Sequence, residues 1–170
     1  MNKDVLVPFI RSTHEVFQTM LQCTIKCTSV SEKSDHSPSF DISGVIGLSG
    51  KLSGSVVFSL SRAVSFQIVN AILGTKVDSI NQDVVDAVGE LTNIIAGSAK
   101  KDLNKFDLTL GLPNVVVGRN HIVSFPSWVS PVCVYFSTPW GAITVEVGLE
   151  PTPAGVAIAA AARGASAEDV

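Results

Sequence analysis

Asp86-Ala87-Val88-Gly89-Glu90-Leu91-Thr92-Asn93-Ile94-Ile95-Ala96-Gly97 holds two helical registers at once. At about 3.6 residues per turn, Val84, Val88, Leu91 and Ile95 fall on one side of a helix. Asp86, Glu90, Asn93 and Gly97 follow the i, i+4, i+7, i+11 row on another. The first row predicts a core-facing stripe and the second a presented polar edge. An ionised Glu only accepts hydrogen bonds, whereas an Asn amide both accepts and donates, so Glu90 and Asn93 together can hold a cation and a water. Neither is a strong nucleophile. Such an edge suits a reaction whose electrophile and metal come from elsewhere and which lacks only an oriented water. The same spacing also describes the ordinary solvated face of an amphipathic helix.

Outward from that segment, Asn81 or Asp83 starts the helix, which is expected to run to Asn104 despite Gly89 and Gly97. Each glycine costs on the order of 1 kcal/mol relative to Ala, and in return admits close approach of another backbone. Upstream, Leu6, Phe9, Ile10, Thr13, Phe17, Met20 and Leu21 recur at helical spacing, predicting a helix over 3–21 with Pro8 tolerated in its opening turns. Gln22 to Val30 reads as a weakly alternating strand, and Ser29 to Ser39, which contains His36, as a solvated loop. Ile42 to Leu48 and Ser55 to Leu60 form a hairpin around Gly50-Lys51-Leu52-Ser53-Gly54. These glycines do not make a nucleotide loop: Val45 and Leu52 stand where a phosphate-binding Gly and a metal-binding Ser or Thr are needed. Ser61 caps a helix through Leu73, closed by Gly74. After Pro113 the chain reads as strands Val115 to Gly118, His121 to Phe125, Val132 to Ser137 and Ala142 to Leu149, with turns at 118–120 and 139–141. Ile143-Thr144-Val145-Glu146-Val147 alternates cleanly, which predicts an antiparallel sheet with one wet or partner-covered face.

Composition narrows the function. The 170 residues are 46% hydrophobic with a formal net charge of −3, and the mean hydropathy is +0.38. No apolar run reaches the roughly eighteen residues of a membrane span, so the excess points to a buried sheet or a subunit interface. The N-terminus lacks the pattern of a secretory signal, and a cytoplasmic protein is expected. Scattered Lys and Arg argue against nucleic acid as a partner. Lys100-Lys101 reads as a complement to a helix C-terminus. Cys23, Cys27 and Cys133 have no C-x-x-C spacing and read as buried apolar side chains, not as a metal or redox set. His14, His36 and His121 have no metal-ligand spacing, and His121 reads as an exposed turn residue. Neither G-x-S-x-G nor H-E-x-x-H is present, which disfavours a self-contained hydrolase. Trp128 and Trp140 read as core or rim aromatics, with a subunit contact as the alternative.

The 86–97 helix resembles the E-x-x-N helix of the CheC/CheX/FliY phosphatases of bacterial chemotaxis, and is most similar to the CheX branch. The family pattern of Asp or Ser, three residues, Glu, two residues, Asn, then Pro about twenty residues on is met by Asp86, Glu90, Asn93 and Pro113. Val88 to Lys100 and Leu112 to Gly118 are CheX-like as well, and the order of elements is similar over roughly 3 to 150. The resemblance implies an α+β fold with a mainly antiparallel sheet and long helices packed on one face, as a single domain over 1–150. An Ala-rich tail follows over 151–170. It implies hydrolysis of the aspartyl-phosphate of a CheY-type response regulator. In that account Asn93 orients the attacking water, Glu90 pairs with the regulator's active-site lysine, and Asp86 and Pro113 are supporting. No cofactor is expected in the chain, because Mg²⁺ comes with the regulator, and a homodimer joined through edge strands is implied.

A second class stays open: a non-catalytic CheC-like or flagellar-switch binding module that recognises a phosphorylated regulator without hydrolysing it. There is also an internal echo. Glu15 and Gln18 precede Glu90 and Asn93 by 75 residues, consistent with a duplicated unit, but Gln18 stands where Asn is wanted. That first helix reads as structural, with a weak second site, in which the longer Gln18 arm orients a water, as the alternative.

Overall fold

A computed structural model describes residues 3–33 and 40–152 of the chain. Helix α1 (Lys3–Met20) leads into strand β1 (Lys26–Glu32), the hairpin β2 (Ile42–Ser49) and β3 (Leu52–Leu60), and helix α2 (Arg62–Leu73). Helix α3 (Gln82–Asp102) follows, then a short 3-10 turn at Asn104–Phe106 and strands β4 (Thr109–Leu110), β5 (Asn114–Val117), β6 (Val132–Thr138) and β7 (Gly141–Pro151). Every strand pairing is antiparallel, in the order β1-β6-β7-β3-β2, with β4 and β5 both on the outer edge of β2. The fold is α+β, as expected. Among the described residues, no helix is long and apolar enough to cross a membrane.

One face of the sheet carries the main core. Ile42, Ile46 and Leu48 of β2, Val56, Phe58 and Leu60 of β3, and Ile143, Val145 and Val147 of β7 meet Phe9 and Phe17 of α1, Ile68 of α2, and Leu91 and Ile95 of α3. The helix boundaries follow local chemistry. Ser61 accepts from the Val64 amide and Gly74 takes a left-handed conformation (φ 68°), so α2 starts and stops where its sequence says. Asn81 accepts from the Val84 amide at the start of α3, and Lys100 and Lys101 occupy its last turn.

The opposite face differs from expectation. Alternation predicts a wet or partner-covered surface, yet Glu146 and Thr144 are buried there, with Val57, Cys133 and Val129. The chain's own segment 118–131 covers them. His121 to Phe125 is therefore not a strand: it is irregular backbone, and Phe125 and Val129 pack so closely over Gly148 that no Cβ fits at that position. Lys33 and Glu146 form an ion pair whose side chains are 3% and 5% exposed, and Lys33 Nζ also donates to the Val123 carbonyl. His121 is not a simple exposed turn residue, because its ring bonds Ser43 Oγ at 2.8 Å and the Gly118 carbonyl at 2.7 Å.

Other expectations shift. The first strand lies at 26–32 rather than 22–30 and replaces the start of the expected loop; Gln22 turns the chain out of α1 with φ 49°. The hairpin turn is tighter than expected, since β3 begins at Leu52. Helix α3 ends at Asp102 rather than Asn104, and β4 is an additional strand. Cys23 and Cys133 are buried, but Cys27 is exposed on the edge strand β1. Trp140 packs against the core while Trp128 is exposed. The loop containing His36 and the tail over 153–170 lie outside the described residues.

Candidate functional site

Helix α3 lies across β2 with unusually close backbone contact. Gly44 is the reason: a Cβ there would overlap the Thr92 hydroxyl and come within 2.9 Å of Thr92 Cβ and 3.2 Å of the Val88 carbonyl. Thr92 is fully buried and its hydroxyl donates to the Val88 carbonyl at 2.7 Å, so it needs no partner from the sheet. From the other side, Ser12 Oγ of α1 donates to the Ile95 carbonyl at 2.7 Å. An exposed Arg11–Asp102 pair at 2.9 Å joins the middle of α1 to the C-terminal end of α3. These contacts fix α3 on both sides of Asn93.

Val84, Val88, Leu91 and Ile95 are all buried, so the apolar row faces the core as the sequence predicts. On the other row Asp86 and Glu90 are exposed, and Asn93 and Gly97 are half-buried. Among the described residues, the side chains of Glu90 and Asn93 make no hydrogen bond or ion pair. Asp86 does: Gln82 Nε2 donates to its Oδ1 at 2.7 Å, one turn back along the helix. Gln82 is a partner the sequence reading missed, although its i, i+4 spacing to Asp86 was the available signal.

The segment after α3 returns alongside this edge. A Cβ on Gly97 would sit 3.7 Å from Leu110 Cδ1, and one on Gly89 would sit 3.4 Å from Val115 Cγ2. The two helix glycines thus admit the chain's own strands β4 and β5, rather than only an external partner. Asn93 lies one turn from each glycine, midway along that approach. Pro113, half-buried, stands in the connection between β4 and β5. Pro113 thus falls in the chain between Leu110 and Val115, the residues that flank the stretch of α3 holding Glu90 and Asn93.

The second Glu and Gln pair is placed differently. Glu15 and Gln18 are exposed on α1, but Gln18 Oε1 accepts from Thr24 Oγ1 at 3.3 Å, so its amide is engaged locally. Among the described residues, no group of His, Cys, Asp and Glu is disposed to hold a metal ion. The Glu90 and Asn93 edge can therefore orient water and accept a cation, and its own side chains supply no nucleophile.

Comparison with known proteins bears on this edge. The family model described as "Chemotaxis phosphatase CheX" matches residues 42–137, a span that contains α3 and Pro113. A CheC-like superfamily protein from Shewanella sp. PV-4 is 33% identical, with a TM-score of 0.82 over 88% of this chain and 99% of that one. The CheY-P phosphatase CheX of Thermotoga maritima is 26% identical over 71% of this chain and 79% of its own length. The CheX of a CheX-CheY-BeF3-Mg²⁺ complex from Borrelia burgdorferi shares the fold, with a TM-score of 0.75 at 22% identity over 88% of this chain and 99% of that one.

Proposed function

The chain belongs to the CheX chemotaxis phosphatase family, and from that premise we propose that it hydrolyses the aspartyl-phosphate of a CheY-type response regulator. The single observation that supports this most is that Glu90 and Asn93, on one edge of a helix pinned from both sides, have no side-chain partner among the described residues.

In this reading an acyl phosphate is already reactive and the receiver domain brings its own Mg²⁺, so the phosphatase adds geometry alone. The Asn93 side-chain carbonyl accepts a hydrogen bond from the attacking water and so turns a water lone pair toward phosphorus. As the P–O bond to water forms, the bond to the aspartyl oxygen breaks and the regulator's carboxylate leaves with the electron pair. The water proton passes to phosphate or solvent, since neither Asn93 nor Glu90 needs to act as base. Glu90, one turn earlier, pairs with the regulator's active-site lysine and sets the docking register. Asp86, held by Gln82, and Pro113 support the edge without a chemical step. The Thermotoga maritima relative carries the name CheY-P phosphatase, and the Borrelia burgdorferi structure holds CheY with BeF3 and Mg²⁺. Both fit a receiver domain as partner here.

The direct test is to mix the purified chain with a panel of phosphorylated receiver domains and follow phosphate release. Acceleration with at least one regulator is expected. Retention of the phospho-form without turnover would make the chain a binding module of the flagellar-switch type instead. The homodimer implied by the family is tested by gel filtration with light scattering, where a monomer mass at micromolar concentration contradicts it.

A further inference from the structure

A one-residue β-bulge sits beside Asn93. Strand β2 pairs Leu48 with Leu110 of β4 and Val45 with Asn114 of β5, so three residues, Gly111, Leu112 and Pro113, stand opposite only two, Gly47 and Ile46. The extra residue is pinned at its base, because the Gly111 amide donates to the Gly47 carbonyl at 2.8 Å. Pro113 fixes the backbone on the other flank and has no N–H to leave unpaired. Bulges of this kind re-aim a side chain and are frequent next to active sites.

What is re-aimed here is Leu112. Leu110 and Val115 both lie against α3; alternation counted forward from Leu110 would turn Leu112 toward the helix, whereas alternation counted backward from Val115 turns Pro113 toward it and Leu112 away, so the regular alternation breaks at Leu112. Pro113 is half-buried, whereas Leu112 is 86% exposed, more than any other large apolar side chain among the described residues. A lone exposed Leu is ordinary. One held out by a pinned bulge, on the flank of the helix edge that carries Glu90 and Asn93, is a built feature.

We infer that Leu112 is the apolar docking anchor of the phosphorylated receiver domain, seated in an apolar hollow next to that domain's phosphorylated aspartate. The inference rests on the proposed function and adds a specificity residue to it. Glu90 supplies a charge and Asn93 a polar contact, both of which gain little affinity from a wet rim; a desolvated apolar side chain at their side supplies binding. Leu112 touches the partner but not the reacting atoms, so it acts on association and not on the chemical step.

The test uses the full chain and a CheY-type receiver domain that it dephosphorylates. Binding is measured with that domain in its beryllofluoride- and Mg²⁺-activated form, and turnover by phosphate release. Leu112→Ala and Leu112→Ser are compared with Asn93→Ala, and melting curves confirm that all three fold. Both Leu112 variants are expected to raise Kd and KM roughly tenfold with kcat held within about twofold, while Asn93→Ala loses kcat and keeps Kd. Wild-type Kd and KM in both Leu112 variants, with Asn93→Ala inactive, overturn the anchor and leave the phosphatase reading intact. A loss of kcat at unchanged Kd also overturns the anchor. If the wild-type chain neither binds nor turns over any phosphorylated receiver, both readings fall.

Discussion

Thr92 of α3 rests on the bare backbone of Gly44 in β2, so closely that a methyl group on residue 44 would overlap the Thr92 hydroxyl. Asn93 is the next residue along the helix. The height of the proposed catalytic side chain above the sheet is therefore set by an absent side chain on the strand beneath it. Gly44→Ala forces the helix or strand to move, because the opposing atoms include the Val88 carbonyl and not only a flexible tip. Overpacking of this kind costs about 1–3 kcal/mol, and a shift near 1 Å at the site lowers kcat on the order of 100-fold. Thr92→Ala in the same chain removes the hydroxyl, the atom that overlaps most deeply, so the double variant melts higher than Gly44→Ala alone. Strictly additive losses in that cycle contradict the contact.

The Lys33–Glu146 pair on the other face predicts a distinct pattern. Removing one partner of a buried pair leaves an uncompensated charge, so Lys33→Met destabilises by about 3–5 kcal/mol, whereas Lys33→Met with Glu146→Leu recovers most of that loss. Denaturant melts of the three chains decide it.

That pair also has a pH signature. Burial pushes the Glu146 carboxyl above its ordinary value, and Lys33 opposes the rise. A carboxyl raised on folding binds its proton more tightly in the native state, so its contribution is most favourable at low pH and declines as pH rises through the raised value. Lys33→Met removes the opposing pull. The deficit of that variant relative to wild type is therefore expected to shrink on acidification from about pH 7 to 5. A deficit that grows over this window contradicts the assignment.

The three thiols separate by environment. Burial pushes Cys133 up to about 11 and raises Cys23 as well. Both are buried, while Cys27 is exposed. At pH 8 a maleimide labels Cys27 promptly and the other two only after denaturant is added. Mass spectrometry of the intact chain shows one adduct or contradicts this.

Gln82 holds Asp86 from one turn back, and the proposed mechanism gives neither a chemical step. Gln82→Ala is thus expected to lower kcat by no more than about threefold and stability by about 0.2–0.5 kcal/mol. A loss as large as that of Asn93→Ala would move Asp86 from support into the chemistry.

The helices were readable because their signals are local. Ser61, Gly74 and Asn81 act on amides or carbonyls within four residues, and the buried row of α3 repeats within one element. The sheet was harder where long-range packing overrides the pattern. Glu146 sits in an alternating run that reads as water-facing, yet it is buried under the 118–131 segment and paired with Lys33, 113 residues away. His121 to Phe125 alternates like a strand but spreads over the back face, bonding Ser43 and covering Gly148. Strand β1 shows little alternation because all seven of its residues are exposed at the sheet edge. At the candidate site, Glu90 and Asn93 were legible from spacing and resemblance. Gly44 was not, since nothing near it in sequence indicates that a helix will lie on it. Nor was the Leu112 bulge, which exists only as a register difference between two strand pairings.

On the proposed mechanism, Asn93 turns water onto a partner's phosphoryl group while taking little part in holding the partner. Single-turnover phosphate release from a phosphorylated receiver domain, measured with saturating wild-type chain and saturating Asn93→Ala, tests it most directly. Wild type is expected to accelerate release, and Asn93→Ala to bring the rate back to that of the receiver domain alone at an unchanged Kd. Release by Asn93→Ala at the wild-type rate contradicts the account.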